Sequence, residues 1–232
     1  MKVSMNNTGN WFSRYCFCSI TCMALLPIAL IANNFIPVKL LHGVQIEIPL
    51  NWKVQSKNQL ITLDSAAQAL YAHTGIYDAS SDLNFGANCY DDAGKTVALI
   101  NVNFYSNLAF SQTDARIAQQ SDINELDIAL YEKIVQASQI NNFSILSWNG
   151  TSRQVINGIT AFITEYKRSP IKNNGNFKVR HIIVFNDRKS FTLTISYRED
   201  QEYLFRPICN HIISHIILDG LVKNSKPQNR SS

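Results

Sequence analysis

The side chains best suited to chemistry in this 232-residue sequence are few and scattered. His211 and His215 stand four apart in an apolar stretch, a spacing that puts two imidazoles on one helix face as two ligands of a zinc or copper site. Two ligands are too few for a site. Their neighbours Asn210, Ile212, Ile213 and Ser214 supply no carboxylate to finish a HExxH arrangement, so two solvent-facing histidines are the competing reading. Cys89 with His42 or His73 would be the route to a thiolate nucleophile in a hydrolase or redox enzyme, and no local signature accompanies it. Serine hydrolysis lacks its GxSxG, and Gly158 and Gly175 are isolated turn glycines, not a phosphate-cradling loop. The sequence therefore predicts no catalytic site and no cofactor, leaving a thiol enzyme using Cys89, or a small-ligand or metal carrier, as the alternatives to a binding module.

Cys16, Cys18 and Cys22 lie in the uncharged run from Tyr15 to Ala32, which follows a polar stretch holding Lys2 and Arg14 and no acid. That order is the pattern of a secretion signal. Residues 1–32 are expected to act as a cleaved signal peptide or to stay as a membrane anchor, since Leu30 is a poor −3 residue for cleavage after Ala32 and the run nears the length of a span. The predicted address is periplasmic or secreted, with an inner-membrane tether through residues 15–32 as the alternative. Outside the cytoplasm the two remaining cysteines, Cys89 and Cys209, become a possible disulfide; Cys209 could equally be a buried thiol on an apolar helix stripe. Removing residues 1–32 takes two positive charges from the net +4, and the remainder is too weakly basic for nucleic acid.

The elements that must carry these residues follow from periodicity. With 46% hydrophobic and 16% charged residues, one folded domain over residues 43–219 is expected, behind a linker at 33–42 and before a disordered basic tail at 220–232. Val44, Ile46 and Ile48 alternate with Gln45 and Glu47 as a half-buried strand does. Residues 61–63 suit a short strand and Asp64–Gly75 a helix. Strands are expected at Asn84–Tyr90 and Thr96–Tyr105, then helices at Ser111–Gln120 and Asp122–Ile140. The second helix should be capped by Asp122 with Glu125 three residues on, burying Ile123, Leu126, Leu130, Ile134 and Ala137. Strands follow at Ser144–Asn149, Arg153–Ile156, Ile159–Arg168, Phe177–Phe185 and Phe191–Arg198, and a last helix begins at Pro207.

Closing the two loops of the final meander symmetrically puts Phe162, Thr164 and Tyr166 beside Val179, His181 and Ile183, and these beside Phe191, Leu193, Ile195 and Tyr197. His181 is then a hydrogen-bonded core residue. The opposite face would carry Glu165 across from Arg180, with Lys167, Lys178 and Arg198 nearby. With Tyr166 and Tyr197 at the same strand ends, Glu165, Lys167, Arg180 and Arg198 form the candidate partner-binding patch. The overall expectation is an α+β fold, a long antiparallel sheet flanked by helices.

Three strings, VQIEIPLNWKV, INGITAFITEYKRSP and FTLTISYRED followed by FRPICNHIISHI, taken with this order of elements, resemble the PsbP-like superfamily over Gly43–Leu218. The resemblance implies an α/β/α sandwich. It also implies a protein that binds another protein in the envelope and lacks catalysis. No metal ligand of the plant members can be matched to a position here, so none is carried over.

Overall fold

A computed structural model describes residues 35–56, 60, 81–106, 110–170, 174–186 and 189–219. The expected export segment, the strand at 61–63, the helix at 64–75, His73 and the basic tail lie outside the described residues.

Seven antiparallel strands form the main sheet, in the order β3-β4-β5-β9-β8-β7-β6. They are β3 (Lys53–Val54), β4 (Ser81–Tyr90), β5 (Thr96–Ser106), β6 (Ile145–Ile156), β7 (Ile159–Arg168), β8 (Phe177–Asn186) and β9 (Lys189–Arg198). A separate sheet joins β1 (Phe35–Lys39), β2 (Val44–Pro49) and β10 (Ile217–Leu218) in the order β1-β2-β10. Strand β1 occupies the stretch expected to be a linker, pairing with β2 from Gln45 to Pro49. Its Pro37 is tolerated because β1 is an edge strand, where one side of the backbone needs no partner.

Helices cover both faces of the large sheet. Helices α1 (Gln112–Ile117) and α2 (Gln120–Asn141) lie on one face, where Ala115, Ala118 and Ile123 pack with Phe162 and Ile183. Gln112 fixes α1: its buried amide donates to the Thr160 and Phe185 carbonyls at 2.9 and 2.6 Å and accepts from the Thr160 N–H at 2.8 Å. The cap of α2 differs from expectation. Gln119 is the N-cap residue and Asp122 is the third helical residue, its carboxylate accepting from the Gln119 N–H at 2.7 Å. On α2 only Ile123 and Ser138 are buried; Leu126, Leu130, Ile134 and Ala137 are half-buried because the helix lies over the rim of the sheet beside β6.

Helix α3 (Glu202–Ser214) and the small sheet cover the other face, where Ile46, Ile48, Ile100, Leu193, Ile195 and Ile212 are fully buried. The helix starts five residues before Pro207, which lies in its interior. Proline there forfeits only its own N–H, the bond that would reach back to the exposed Tyr203. Asn157, at the β6–β7 reversal, donates to the Ser214 and Ile216 carbonyls at 2.7 and 3.1 Å and ties that reversal to the end of α3.

The meander confirms one register and corrects the other. Strands β7 and β8 pair as expected, with Phe162 opposite Ile183 and Glu165 opposite Arg180. Strand β9 is shifted by one residue, with Ile183 opposite Thr192 and Ile182 opposite Leu193. Asn186 pairs with Lys189, so only two residues connect the strands where a symmetric guess had centred the loop on residue 188. Every β9 side chain therefore changes face. Phe191, Leu193, Ile195 and Tyr197 join Ile182, Val184, Ile100 and Val102 on an apolar face under α3, while Ser190, Thr192, Thr194 and Ser196 join His181 and Asn101 on a hydroxyl-rich face.

Candidate functional site

Strand β6 ends the large sheet on one side, and among the described residues its twelve positions have a neighbouring strand on one flank only. Sequence periodicity split it in two because Gly150 interrupts the alternation. Gly150 has φ +83, a conformation open to glycine, and forms a bulge that lets one continuous strand pass α2 beside Asp127. On the α2 side the strand is anchored. The Trp148 indole N–H donates to the two Asp127 carboxylate oxygens at 3.1 and 3.2 Å, and the Thr151 hydroxyl donates to the same carboxylate at 2.7 Å. Trp148 also stacks on Tyr166, with ring centroids 5.5 Å apart.

On the α3 side the strand is open. A groove of ≈ 400 Å³ runs between β6 and α3, with Ile163, Glu165 and Arg180 lining it from β7 and β8, Gln154 and Val155 from β6, and Asn210 from α3. Arg180 and Glu165 meet at 2.6 Å, and Arg180 also donates to the Asn210 side-chain oxygen. Val155 is 72% exposed and Leu146, farther along β6, 46%. An open strand edge beside a groove of mixed apolar and polar walls with one oriented guanidinium can take an extended peptide, the backbone pairing and the groove reading side chains.

The six residues predicted as a patch do not form one. Glu165, Lys167, Arg180 and Tyr197 share the apolar face, whereas Tyr166 and Arg198 fall on the hydroxyl face, a direct result of strand parity and the β9 shift. Tyr197 is core, 3% exposed and stacked on Phe205, and burial pushes its hydroxyl up to about 12. Tyr166 is likewise pushed up to about 12 by burial. The charges are already paired: Lys167 with Glu199 at 2.7 Å, and Arg198 with Asp200 and Asp91. Of the patch, the structure brings only Glu165 and Arg180 into the groove.

Neither cysteine is set up for chemistry. Cys89 and Cys209 are free thiols rather than a disulfide, and burial raises both, Cys209 to about 12, where a nucleophile needs a lowered value. His42 does not serve Cys89. It packs on Phe104, whereas Cys89 pairs with Ala98, six residues or about 20 Å away along β5. His181 donates or accepts at the Thr194 hydroxyl at 2.8 Å, and burial with the cation of Lys133 nearby lowers it to about 4. It is hydrogen-bonded as expected, and half-buried rather than in the core.

His211 and His215 do share a face, and the structure adds a carboxylate the sequence did not offer. Glu47 of β2 reaches His211 Nε2 at 2.7 Å, and the ligand atoms of Glu47, His211 and His215 all lie within 4.8 Å of one another. The His211 and His215 rings stack at 3.9 Å and Phe35 stacks on His211 at 3.7 Å. Glu47 is 164 residues away in sequence, so no local spacing could have signalled it.

No known family's sequence pattern matches the chain, and no curated protein matches it in sequence. Among solved structures it is similar to the cyanobacterial PsbP (CyanoP) of Synechocystis sp. PCC 6803, with a TM-score of 0.51 and 12% identity, covering 80% of this chain and 92% of that one. It is also similar to LpqN, involved in cell envelope biogenesis of Mycobacterium tuberculosis, with a TM-score of 0.38 and 13% identity over 82% of this chain and 95% of that one. The likeness to CyanoP shows that the chain has the PsbP-like fold, which the sequence resemblance implied.

Proposed function

We propose that this chain is a non-catalytic module that works outside the cytoplasm and binds a protein partner, taking an extended segment of it along β6. The observation that carries this reading is the twelve-residue open edge beside the groove holding Glu165 and Arg180. Bulges at Leu146 and Gly150 interrupt the first half of this edge, and the regular half from Thr151 to Ile156 leaves Val155 exposed on the edge strand. The raised thiols of Cys89 and Cys209 argue against the thiol-enzyme alternative. The apolar run from Tyr15 to Ala32 supports export, either as a cleaved signal or as a periplasm-facing anchor.

A photo-crosslinking residue at position 155, introduced into the chain expressed in its own cells, tests the edge. We expect a discrete protein adduct there and none from position 203, where Tyr203 is 83% exposed at the start of α3, two helical turns before Asn210. Adding Arg180→Ala should weaken the adduct at 155. Equal adducts from both positions, or none at 155, overturn the assignment of β6.

A further inference from the structure

We propose that Glu47, His211 and His215 form a binding site for one zinc-class divalent cation, and that the cation fastens α3 to the three-stranded sheet. The ligand set spans two parts of the fold: His211 lies in the last turn of α3, His215 directly follows that helix, and Glu47 comes from the middle strand of the small sheet.

Hydrogen bonds already prepare the ring nitrogens. His215 Nδ1 lies 2.8 Å from the His211 carbonyl, which can only accept, so Nδ1 carries the proton and Nε2 keeps its lone pair for a metal. A backbone carbonyl holding the far nitrogen is the usual support of a metal-bound imidazole. His211 Nε2 faces the Glu47 carboxylate at 2.7 Å, and the cation would take the place of the proton shared there. Phe35 holds one side of the His211 ring, and the His211 and His215 rings lie stacked at 3.9 Å and 17°, so their in-plane lone pairs meet at one cation only when the His215 ring swings out of the stack.

The distances suit zinc after small side-chain moves. With Zn–N and Zn–O near 2.0–2.1 Å, tetrahedral ligand atoms stand about 3.3 Å apart. The Glu47–His211 contact must therefore open by about 0.6 Å, and the widest separation of 4.8 Å close by about 1.5 Å, changes within reach of χ rotations. Two imidazoles and one carboxylate favour zinc, copper or nickel over calcium or magnesium, which require more oxygen ligands. His211 and Glu47 are 27% and 30% exposed, leaving the fourth position to water or a donor from outside the chain.

Titration of the purified chain with Zn²⁺, followed by calorimetry and by thermal unfolding, tests the site. We expect one equivalent bound and a Tm that rises with Zn²⁺, with no response to Ca²⁺. Glu47→Gln and His215→Asn should each weaken binding at least about tenfold. Should either substituted chain fail to fold, Co²⁺ bound to the unaltered chain supplies a second readout: tetrahedral d–d bands without thiolate charge transfer are expected. Absence of Zn²⁺ binding, binding unchanged in both variants, or a thiolate band placing the metal on cysteine overturns the proposal.

Discussion

The two faces of the large sheet are built from the same strands and held by different physics. Under α3 the face is dry: Phe191, Leu193, Ile195, Ile100 and Val102 are all at most 2% exposed and need only shape and area. Toward α2 the neighbouring side chains are Ser190, Thr192, Thr194, Ser196, Asn101 and His181, each carrying a hydrogen-bonding demand. Not all of it is met. Thr192 Oγ1, Asn101 Oδ1 and Gln55 Oε1 are buried with no hydrogen-bond partner among the described residues. Burial under α3 makes no hydrogen-bonding demand, whereas on the other face the apolar cluster of Phe162, Ile183 and Ala115 shares the sheet with polar groups whose contribution depends on conditions.

The largest effect that could break this contrast is a deletion on the dry face. Leu193→Ala should cost about 2–5 kcal/mol, read from urea unfolding, while Thr194→Ala on the next residue should cost about 1 kcal/mol. Equal costs would mean that the two faces share the load.

A pH titration sharpens the contrast next. His181 is held at about 4 in the folded chain against 6.5 ordinarily, so the unfolded chain binds more protons between these values. Stability is fully present above about 6.5 and is lost as pH falls toward about 4, by about 3 kcal/mol at most. Urea midpoints measured across that window should show the loss, and His181→Gln should remove most of it. A flat profile in the unaltered chain would deny the hydroxyl face its influence.

A further comparison lies at the rim, where Asp127 gathers Trp148 and Thr151. Asp127→Ala should cost about 1–2 kcal/mol and change Trp148 fluorescence, since two donors lose their shared acceptor. Loss of β6 altogether, seen as a cooperative collapse, would show that the rim is as critical as the core.

Much of this arrangement could be read from residue order. The β7–β8 pairing followed from alternation on both strands, and the β6–β7 reversal from Asn157-Gly158, both in the left-handed region as the tightest hairpins require. The β9 shift was harder for a physical reason: β8 reads Val-Arg-His-Ile-Ile-Val-Phe, apolar on both sides, so it accepts either face of its neighbour. Strand β9 itself alternates hydroxyl and apolar residues without exception from Ser190 to Tyr197 and held the answer. Strand β1 was hidden by Pro37 and α3 began early because Phe205 buries ahead of Pro207. The Glu47–His211 contact depends on how two layers dock, information no single segment contains.

The two-residue connection between Asn186 and Lys189 sets more than a loop length. It sets which residue of β8 meets which residue of β9, and so the phase of everything after it. A residue inserted there can be taken up by a longer turn, keeping the Ser-Phe-Thr-Leu-Thr-Ile-Ser-Tyr alternation in phase, or can slip β9 by one and present its hydroxyls to α3. Burial of Phe191, Leu193 and Ile195 favours the longer turn. Single insertions should therefore be tolerated as loop extensions while exchanging the hydroxyl and apolar positions of β9 should not, a contrast that a small library could read directly from the fraction of chains that fold.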